Sequence, residues 1–338
     1  MTGITIGSDP RRLLTHLALY GLAAICEDAG HSDLRLSWTP GMNTRAHLGI
    51  TASSDEAARL IQAHAQNRAW VHQTIPLAGT PRGLMSPRLS GISTAGQWQE
   101  LQAGRQRVLD TLTASRSGLD LALIGALGEP CYWRFDRAGK RLQDDAASRL
   151  EMQPRNTGAE FIGTRLSKIA TAVAGRSIEG IRDGILGIRV RDEAGNDAAD
   201  SRTATGLDAP GPADNALVWC ALWGISQTSL TLRKLEQSVT SICLRIDRRE
   251  HFYVPLWQGS WHPARIRTII ASQQLRATAK ALLKPGLGLE GEVLRSRQWL
   301  AARGVTAIVT FPVSIFGSGN APERRAGQGI LHPITGRP

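Results

Sequence analysis

Two apolar stretches of this chain share one residue order: LTHLALYGL at Leu14–Leu22 and LVWCALWGI at Leu217–Ile225. Each contains Ala, Leu, an aromatic residue, Gly and an aliphatic residue in that order, and each follows a segment with Pro and Asp. The apolar spacing predicts two helices, and the glycine in each predicts a place where another backbone packs closely. The match is either an internal repeat in two halves of the molecule or a chance similarity between two apolar helices.

A segment rich in Gly, Pro, Asp and Ala separates the two stretches, reading DEAGNDAADSRTATGLDAPGPAD over residues 192–214. Apolar periodicity stops there, as is typical of a linker or a long loop. The segment has a net charge of −5, the region before it (1–191) has +6 and the region after it (215–338) has +10. We therefore expect a two-part architecture in which the basic surplus lies in the C-terminal region.

Apolar spacing elsewhere mixes helical and strand-like periods without a regular βαβ series, which predicts an α+β fold. A turn at Pro40-Gly41 predicts that strands near Asp33–Trp38 and Arg45–Ile50 pair with each other. The remaining predicted strands are Leu119–Phe135, Ile185–Val190, Ser241–Ile246 and Gly304–Phe311. The predicted helices are Pro10–Glu27, Asp55–Gln66, Gln97–Thr113, Asn156–Ala174, Asn215–Ile225, Ser272–Leu283 and Leu289–Arg303.

The chain of 338 residues is strongly basic, with a net charge of +11 and 35 arginines among its 40 basic residues. Arginine suits phosphate recognition because its planar group donates two parallel hydrogen bonds, so the charge favours a polyanionic partner. A genome rich in G and C would also encode an excess of Arg and Ala. That alternative does not explain why the acidic residues fail to balance the basic ones.

Targeting and cysteine patterns point to the cytoplasm. The first residues lack the features of a secretory signal, and no apolar run approaches the ~20 residues that a membrane helix needs. The cysteines Cys26, Cys131, Cys220 and Cys243 show no CxxC spacing and lie in or beside apolar segments. We expect core thiols, a cytoplasmic protein, no membrane partner and neither metal nor cofactor.

Common catalytic motifs are absent from the sequence. It contains no GxxxxGK[ST], HExxH or GxSxG motif, and no two of its histidines lie two to five residues apart. Gly286, Gly288 and Gly291 match GxGxxG, but the match follows a predicted helix and not the strand that a dinucleotide site requires. It is therefore read as a turn between helices, or as a loop whose backbone amides contact phosphate.

Four basic segments are candidates for nucleic-acid contact. In Arg245–Arg267, arginines alternate with aromatic residues, and stacking faces beside phosphate ligands suit a single strand or an RNA; the alternative is that these aromatic residues form core or a subunit contact. The other three are a Pro-restricted loop at 81–90, a basic helix face near 152–168 and a Gly-rich stretch at 316–328. If they do not contact nucleic acid, the first two are solvated surface and the third is a disordered tail. The candidate nucleic-acid-binding residues are Arg82, Arg88, Arg155, Arg165, Lys168, Arg245, Arg248, Arg249, Tyr253, Trp257, Trp261, Arg265, Arg267, Arg324 and Arg325.

The opening ITIGSDPRRLLTHLALYGLAAICED, the segment PGPADNALVWCALWGIS and the Gly-rich basic end together resemble subunits encoded in type I-U (also called I-G) CRISPR loci. The resemblance covers about the first 30 residues and the middle of the chain, and it consists of apolar and Gly positions. It implies a large-subunit-like protein that assembles with guide RNA and other CRISPR subunits and contacts target DNA.

Charge and resemblance together predict a non-catalytic subunit that contacts the backbone of guide RNA, target DNA or both. Two other classes stay open at this point. An enzyme acting on an anionic small molecule would have a deep pocket with convergent His, Asp or Glu, whereas a scaffold that contacts only protein would expose an apolar patch.

Overall fold

A computed structural model describes residues 3–41, 43–77, 79–89, 91–129, 147–151, 161–233, 237–286, 290–317 and 323–334, together with the backbone of 134–135 and 141–142. Helices and several small antiparallel sheets share this part of the chain, which confirms the predicted α+β class. None of the described helices is both long and apolar enough to span a bilayer.

The N-terminal sheet packs beside the first helix. Strands β1 (Gly3–Thr5), β2 (Arg35–Trp38) and β3 (Ala46–Gly49) form an antiparallel sheet in the order β1-β3-β2, which confirms the predicted pairing of the second and third strands. Helix α1 (Leu13–Asp28) is buried over nearly its whole length. It begins three residues after Pro10, because residues 10–12 form a turn in which Asp9 accepts a hydrogen bond from the Arg11 amide.

The two stretches with matching sequence form helices that cross each other at their glycines. Helix α7 (Asn215–Gly224) packs directly on α1 and is completely buried. A Cβ atom on Gly21 would lie 1.8 Å from the Cys220 carbonyl oxygen, and one on Gly224 would lie 2.0 Å from the Leu17 carbonyl oxygen. Leu17 and Cys220 each precede their own helix's glycine by four residues, so the contact is reciprocal. The predicted close backbone approach is confirmed. The glycine of each helix leaves room for the backbone of the other helix.

Other helices surround this crossing. Helix α2 (Ser54–Gln66) begins with a capping box between Ser53 and Glu56, and α3 (Ala95–Ala114) begins with one between Thr94 and Gln97. The smaller elements nearby are the hairpin β4 (Thr74–Leu77) and β5 (Thr80–Gly83), the strand pair β6 (Arg134–Phe135) and β7 (Arg141–Leu142), and helix α5 (Ser167–Ala174), which follows a π-helical turn (Ile162–Leu166).

Two predicted strands are wrong. Leu119–Leu127 belongs to helix α4 (Gly118–Leu127), whose residues are apolar almost all round and so give no helical period. Ile185 belongs to helix α6 (Ile178–Leu186), which ends at Gly187 with a left-handed φ of +70°. The following residues 188–190 continue as exposed chain without strand pairing.

The C-terminal region contains the largest sheet and three helices. Strands β10 (Cys243–Ile246), β11 (Arg249–Trp257), β12 (Val305–Phe316) and β13 (Glu323–Ala326) follow one another in the sheet, and β14 (Ile330–Pro333) pairs with the first half of β12. Helices α8 (Pro263–Ala271), α9 (Gln273–Leu283) and α10 (Glu290–Ala301) lie between β11 and β12 in the chain. The hairpin β8 (Leu230–Arg233) and β9 (Gln237–Thr240) precedes them.

The segment 192–214 is an ordered long loop. The buried carboxylate of Asp192 accepts hydrogen bonds from Ser201 Oγ at 2.5 Å, Thr203 Oγ1 at 2.7 Å and Asn215 Nδ2 at 2.8 Å. At its end, Asp214 pairs with the buried Arg176 guanidinium at 2.9 Å and caps α7. Regions on both sides of the loop contribute to one hydrophobic core, and the predicted division into two domains stays a prediction.

Candidate nucleic-acid interface

The β10–β11 hairpin presents three exposed arginines. Its tight turn places Asp247 at φ +46° and Arg248 at φ +68°, the left-handed geometry that suits a two-residue hairpin. Arg245, Arg248 and Arg249 are all exposed, and none of the three has an ion-pair partner among the described residues. Arg245 lies opposite Glu250 in the strand register, so these two side chains share one face of the hairpin.

Glu250 links the hairpin to a group of arginines from distant segments. Arg149 Nε lies 3.4 Å from one Glu250 carboxylate oxygen, and Arg324 Nη1 lies 3.4 Å from the other. Arg324 also donates to the Glu151 carbonyl oxygen at 3.1 Å, and Arg88 Nε pairs with the buried Glu151 carboxylate at 2.5 Å. One continuous polar network therefore joins the β5–α3 loop, residues 149–151, β11 and β13.

The network continues through Glu323 on β13. Arg325 Nε donates to one Glu323 carboxylate oxygen at 2.8 Å, and Arg202 Nη1 lies 3.2 Å from the other. Arg202 belongs to the 192–214 loop, and its side chain is 49% exposed. We call the six arginines of this group the arginine cluster: Arg88, Arg149, Arg165, Arg202, Arg324 and Arg325.

Acidic side chains from several elements lie among the arginines of the cluster. In the described part of the chain they are Glu151, Glu250 and Glu323, with the buried Asp192 nearby. Burial lowers the pKa of Arg165, and the charge of Arg202 lowers it further. Burial also lowers the pKa of Arg324; Glu250 opposes this change, and Arg88 and Arg149 add to it.

Lowered arginine pKa values have a chemical consequence here. A guanidinium group stays protonated at neutral pH, so its lowered pKa reflects an unfavourable free energy of holding the charge in place. A negatively charged ligand beside these groups would offset that free energy. Guanidinium groups are also the side chains that make charge-assisted, paired hydrogen bonds with phosphate.

An exposed aromatic ring lies at the edge of the cluster. Phe316, at the end of β12, is 47% exposed, and the Arg325 guanidinium carbon lies 4.5 Å from its ring centroid. Its neighbour Ile315 is exposed as well. A ring that combines an open face with an adjacent cation is suited to stacking on a base.

The aromatic residues predicted to stack on bases require correction, because all three are buried. Tyr253, Trp257 and Trp261 are 1–3% exposed. Trp257 stacks on Trp261 at 4.8 Å and donates to the Leu36 carbonyl oxygen at 3.2 Å, and Arg276 donates to the Tyr253 hydroxyl. They join the C-terminal sheet to the N-terminal sheet, so the core alternative holds for them and they offer no open face to a base.

The other predicted residues are dispersed. Arg267 pairs with Glu27 at 2.8 Å on α1, and Arg265 lies 4.5 Å over the Trp261 ring while donating to the Arg303 carbonyl oxygen. Arg82 is half-buried on β5, and Lys168 is exposed on α5. The structure thus brings together Arg88, Arg165, Arg324 and Arg325 in the cluster. Arg245 lies on the Glu250 face of the adjoining hairpin, whose turn carries Arg248 and Arg249; Arg155 lies outside the described residues.

Sequence reasoning missed Arg149 and Arg202 as cluster members and Phe316 as an exposed ring. Arg149 stands in a segment without periodicity, and Arg202 is the one basic residue of a loop with six acidic residues. Phe316 opens the Gly-rich stretch that was selected for Arg324 and Arg325. Nothing in the local sequence marks the first two, since their position depends on which distant segments fold together.

Other reactive groups do not gather into a second site within the described ranges. No group of three or more His, Cys, Asp or Glu side chains there could hold a metal ion. Cys26, Cys220 and Cys243 are free and buried, and burial raises the pKa of Cys26 to about 12. Cys131 and Gly288 of the GxGxxG match lie outside the described residues.

Comparison with known proteins adds no family. No protein-family model matches the chain, and a search of curated proteins finds no match.

Proposed function

We propose that this chain is a non-catalytic nucleic-acid-binding subunit of a CRISPR RNA-guided surveillance complex, contacting the backbone of guide RNA or target DNA. The observation that carries the proposal is the arginine cluster, in which arginines from five separate parts of the chain come together beside the exposed ring of Phe316. Guanidinium groups donate charge-assisted hydrogen bonds to phosphate oxygens, so a group of them suits a phosphate backbone.

The surface around the cluster suits a strand of nucleic acid. The exposed guanidinium groups of Arg202 and of the β10–β11 hairpin supply phosphate contacts at the edge of the buried network. Phe316 supplies a face for sequence-tolerant stacking beside them. The half-buried arginines keep the local potential positive.

The first test is binding of labelled single-stranded RNA and DNA to the full chain over a range of salt concentrations, followed by fluorescence anisotropy. Phosphate contacts release counterions, so the logarithm of the binding constant should fall linearly with the logarithm of salt concentration. Undetectable binding, or binding that does not respond to salt, would remove the proposal.

A triple variant localises the contact. The variant combines Arg245→Gln, Arg248→Gln and Arg249→Gln. It should make the slope of the logarithm of the binding constant against the logarithm of salt concentration shallower by about 2, since each single-strand phosphate contact contributes roughly 0.7 to that slope. All three residues are exposed and lack ion-pair partners in the described part of the chain, so the variant should fold normally. The matched control replaces three exposed arginines on other elements: Arg59 on α2, Arg107 on α3 and Arg295 on α10. Equal losses in the two triple variants would mean that overall charge, and not this surface, governs binding.

Assembly needs a separate measurement. Purification of the tagged chain from its native cells should retain CRISPR guide RNA together with other subunits of the complex. Recovery of unrelated cellular RNA alone would keep nucleic-acid binding but reject the CRISPR assignment.

A further inference from the structure

A cleft separates the β2–β3 hairpin from the large C-terminal sheet. Two adjoining cavities of about 770 and 190 Å³ form it and share Thr44, Leu256 and Leu331. The β2–β3 hairpin and β11 face each other across the larger cavity, held together by reciprocal backbone hydrogen bonds between Leu36 and Trp261 of 2.7 and 2.8 Å. The size is that of a pocket for a small organic molecule, about 300–1,000 Å³.

One wall of the cleft is aromatic, and two polar atoms buried in and behind it have no partner among the described residues. Trp38 lines the larger cavity, packs edge-on against Trp257 at 5.7 Å, and its indole N–H has no hydrogen-bond partner. Behind Trp38 lies the fully buried His16, whose ring centroid is 4.7 Å from that of Trp38. His16 Nε2 donates to the Pro10 carbonyl oxygen at 2.7 Å, which leaves Nδ1 as an acceptor without a donor.

Polar side chains complete the larger cavity. Ser37, Thr39, Gln258, Ser260 and Thr306 all line it. Gln258 and Ser260 are exposed and make no side-chain hydrogen bond in the structure, so their polar groups are available to a ligand. A planar ligand with donors and acceptors on its edge would find partners on both walls.

Two arginines stand at the rim. Arg11 and Arg45 line the smaller cavity, and both are exposed. Neither side chain has an ion-pair or hydrogen-bond partner among the residues that the structure describes. The nearest acid in the lining is Asp9, which accepts a hydrogen bond from the Arg11 amide at 2.7 Å. The rim therefore carries two guanidinium groups and one carboxylate, a charge balance that favours a phosphate.

We propose that this cleft binds one nucleotide of a single strand, with the base against Trp38 in the larger cavity and the phosphate between Arg11 and Arg45. This inference rests on the proposed nucleic-acid binding and adds a site away from the arginine cluster. A base in the cleft adds stacking that is worth about 5- to 150-fold in affinity per base. The cleft should therefore bind a strand that carries bases more tightly than a strand that carries phosphates alone.

The test compares two DNA strands of about 12 nucleotides, within the site sizes of single-strand binders. One is oligodeoxythymidylate, and in the other every base is replaced by an abasic site, so that both carry the same phosphates but only the first can place a base in the cleft. The full chain should bind the first strand at least about 10-fold more tightly. Thymidine 5′-monophosphate should also bind to the full chain, as measured by saturation-transfer NMR.

Two variants locate the effect. Ser260→Trp fills the larger cavity and should abolish monophosphate binding and the difference between the two strands, whereas Thr113→Trp, on the exposed face of α3, should change neither. Arg11→Ala with Arg45→Ala should weaken monophosphate binding at least about 10-fold without affecting folding, since both side chains are exposed and unpaired. Arg107→Ala serves as its control.

The outcomes separate the two proposals. The nucleotide site would be overturned if both strands bound with equal affinity and the monophosphate either did not bind or bound equally well after Ser260→Trp and the Arg11/Arg45 change. That result would leave the strand-binding proposal standing. Failure of the strands and of the monophosphate to bind would overturn both.

Discussion

Replacing Gly21 by Ala tests the crossing of α1 and α7 on which the fold is built. The added Cβ atom would lie 1.8 Å from the Cys220 carbonyl oxygen and 2.5 Å from the Gly224 nitrogen, whereas ordinary contact begins at 3.4 Å. The helices must therefore move apart by about 1.6 Å, the difference between 3.4 and 1.8 Å. Both helices are buried along their length, so the movement disturbs packing on both sides.

The expected net loss of stability is about 3 kcal/mol. Overpacking should cost about 4 kcal/mol, above the usual range of ~1–3 kcal/mol because the clash is with backbone that cannot rotate away, and Ala in place of Gly returns roughly 1 kcal/mol in a helix. In a chain of this length that loss lowers Tm by about 4 °C, which differential scanning calorimetry measures. Gly125→Ala is the matched control, because Gly125 lies in α4 with nothing within 4 Å of an added Cβ. It should leave Tm unchanged or raise it slightly.

The double variant Gly21→Ala with Gly224→Ala sharpens the test. One separation of the helices relieves both clashes, so the combined loss should fall well short of the sum of the two single losses. A Gly21→Ala protein as stable as the parent, or strictly additive losses, would refute the reciprocal contact.

Three further outcomes follow from buried polar groups. Asp192→Ala removes the acceptor of the Ser201, Thr203 and Asn215 hydrogen bonds and should lower the free energy of unfolding by about 3 kcal/mol or more. Limited proteolysis of the variant should then cut within 192–214. A variant as resistant to cleavage there as the parent would contradict the ordered loop. Burial lowers the pKa of His16 to about 4 from 6.5. As pH falls from 6.5 towards 4, the unfolded chain therefore takes up a proton that the folded chain does not, and the contribution of His16 to stability should decline. The denaturant midpoints of the parent and of His16→Gln should converge over that interval, whereas parallel pH profiles would contradict the argument. Arg176→Gln leaves the Asp214 carboxylate buried without its cation and should lower stability by about 3–5 kcal/mol in urea unfolding. Arg182→Gln, which removes a partly exposed guanidinium, should lower it much less.

Local patterns predicted the elements whose sequence differs between faces or ends. Ser53 with Glu56 marks the start of α2, and the Pro40-Gly41 turn marks the pairing of β2 with β3. Helix α4 was misread because its continuous apolar run has no period, and only its neighbours decide between strand and helix. The exposed Ile188 shows the reverse case, an apolar residue that no sheet covers.

Strand β11 explains why the segment Arg245–Arg267 combines exposed arginines with aromatic residues that the structure buries. Its first residue, Arg249, lies at the exposed hairpin turn, whereas its last residue, Trp257, is buried between two sheets. Strand β10 pairs with β11 only as far as Phe252, so Pro255 lies where β11 has a single neighbour and removes no necessary hydrogen bond. Arginines and aromatic residues alternate in this part of the sequence because the chain passes from surface to core.

The arginine cluster shows the opposite relation between sequence and surface. Arg88, Arg202 and Arg324 are more than 100 residues apart from one another, and each stands in a segment that looks like ordinary solvated loop or surface. Their positions become informative only once β13 brings Glu323 and Arg324 beside the 192–214 loop and residues 149–151. The overall charge of +11 predicts a polyanionic ligand from sequence alone. The residues of the proposed contact come from several distant segments, so they could be assembled only once the fold was known.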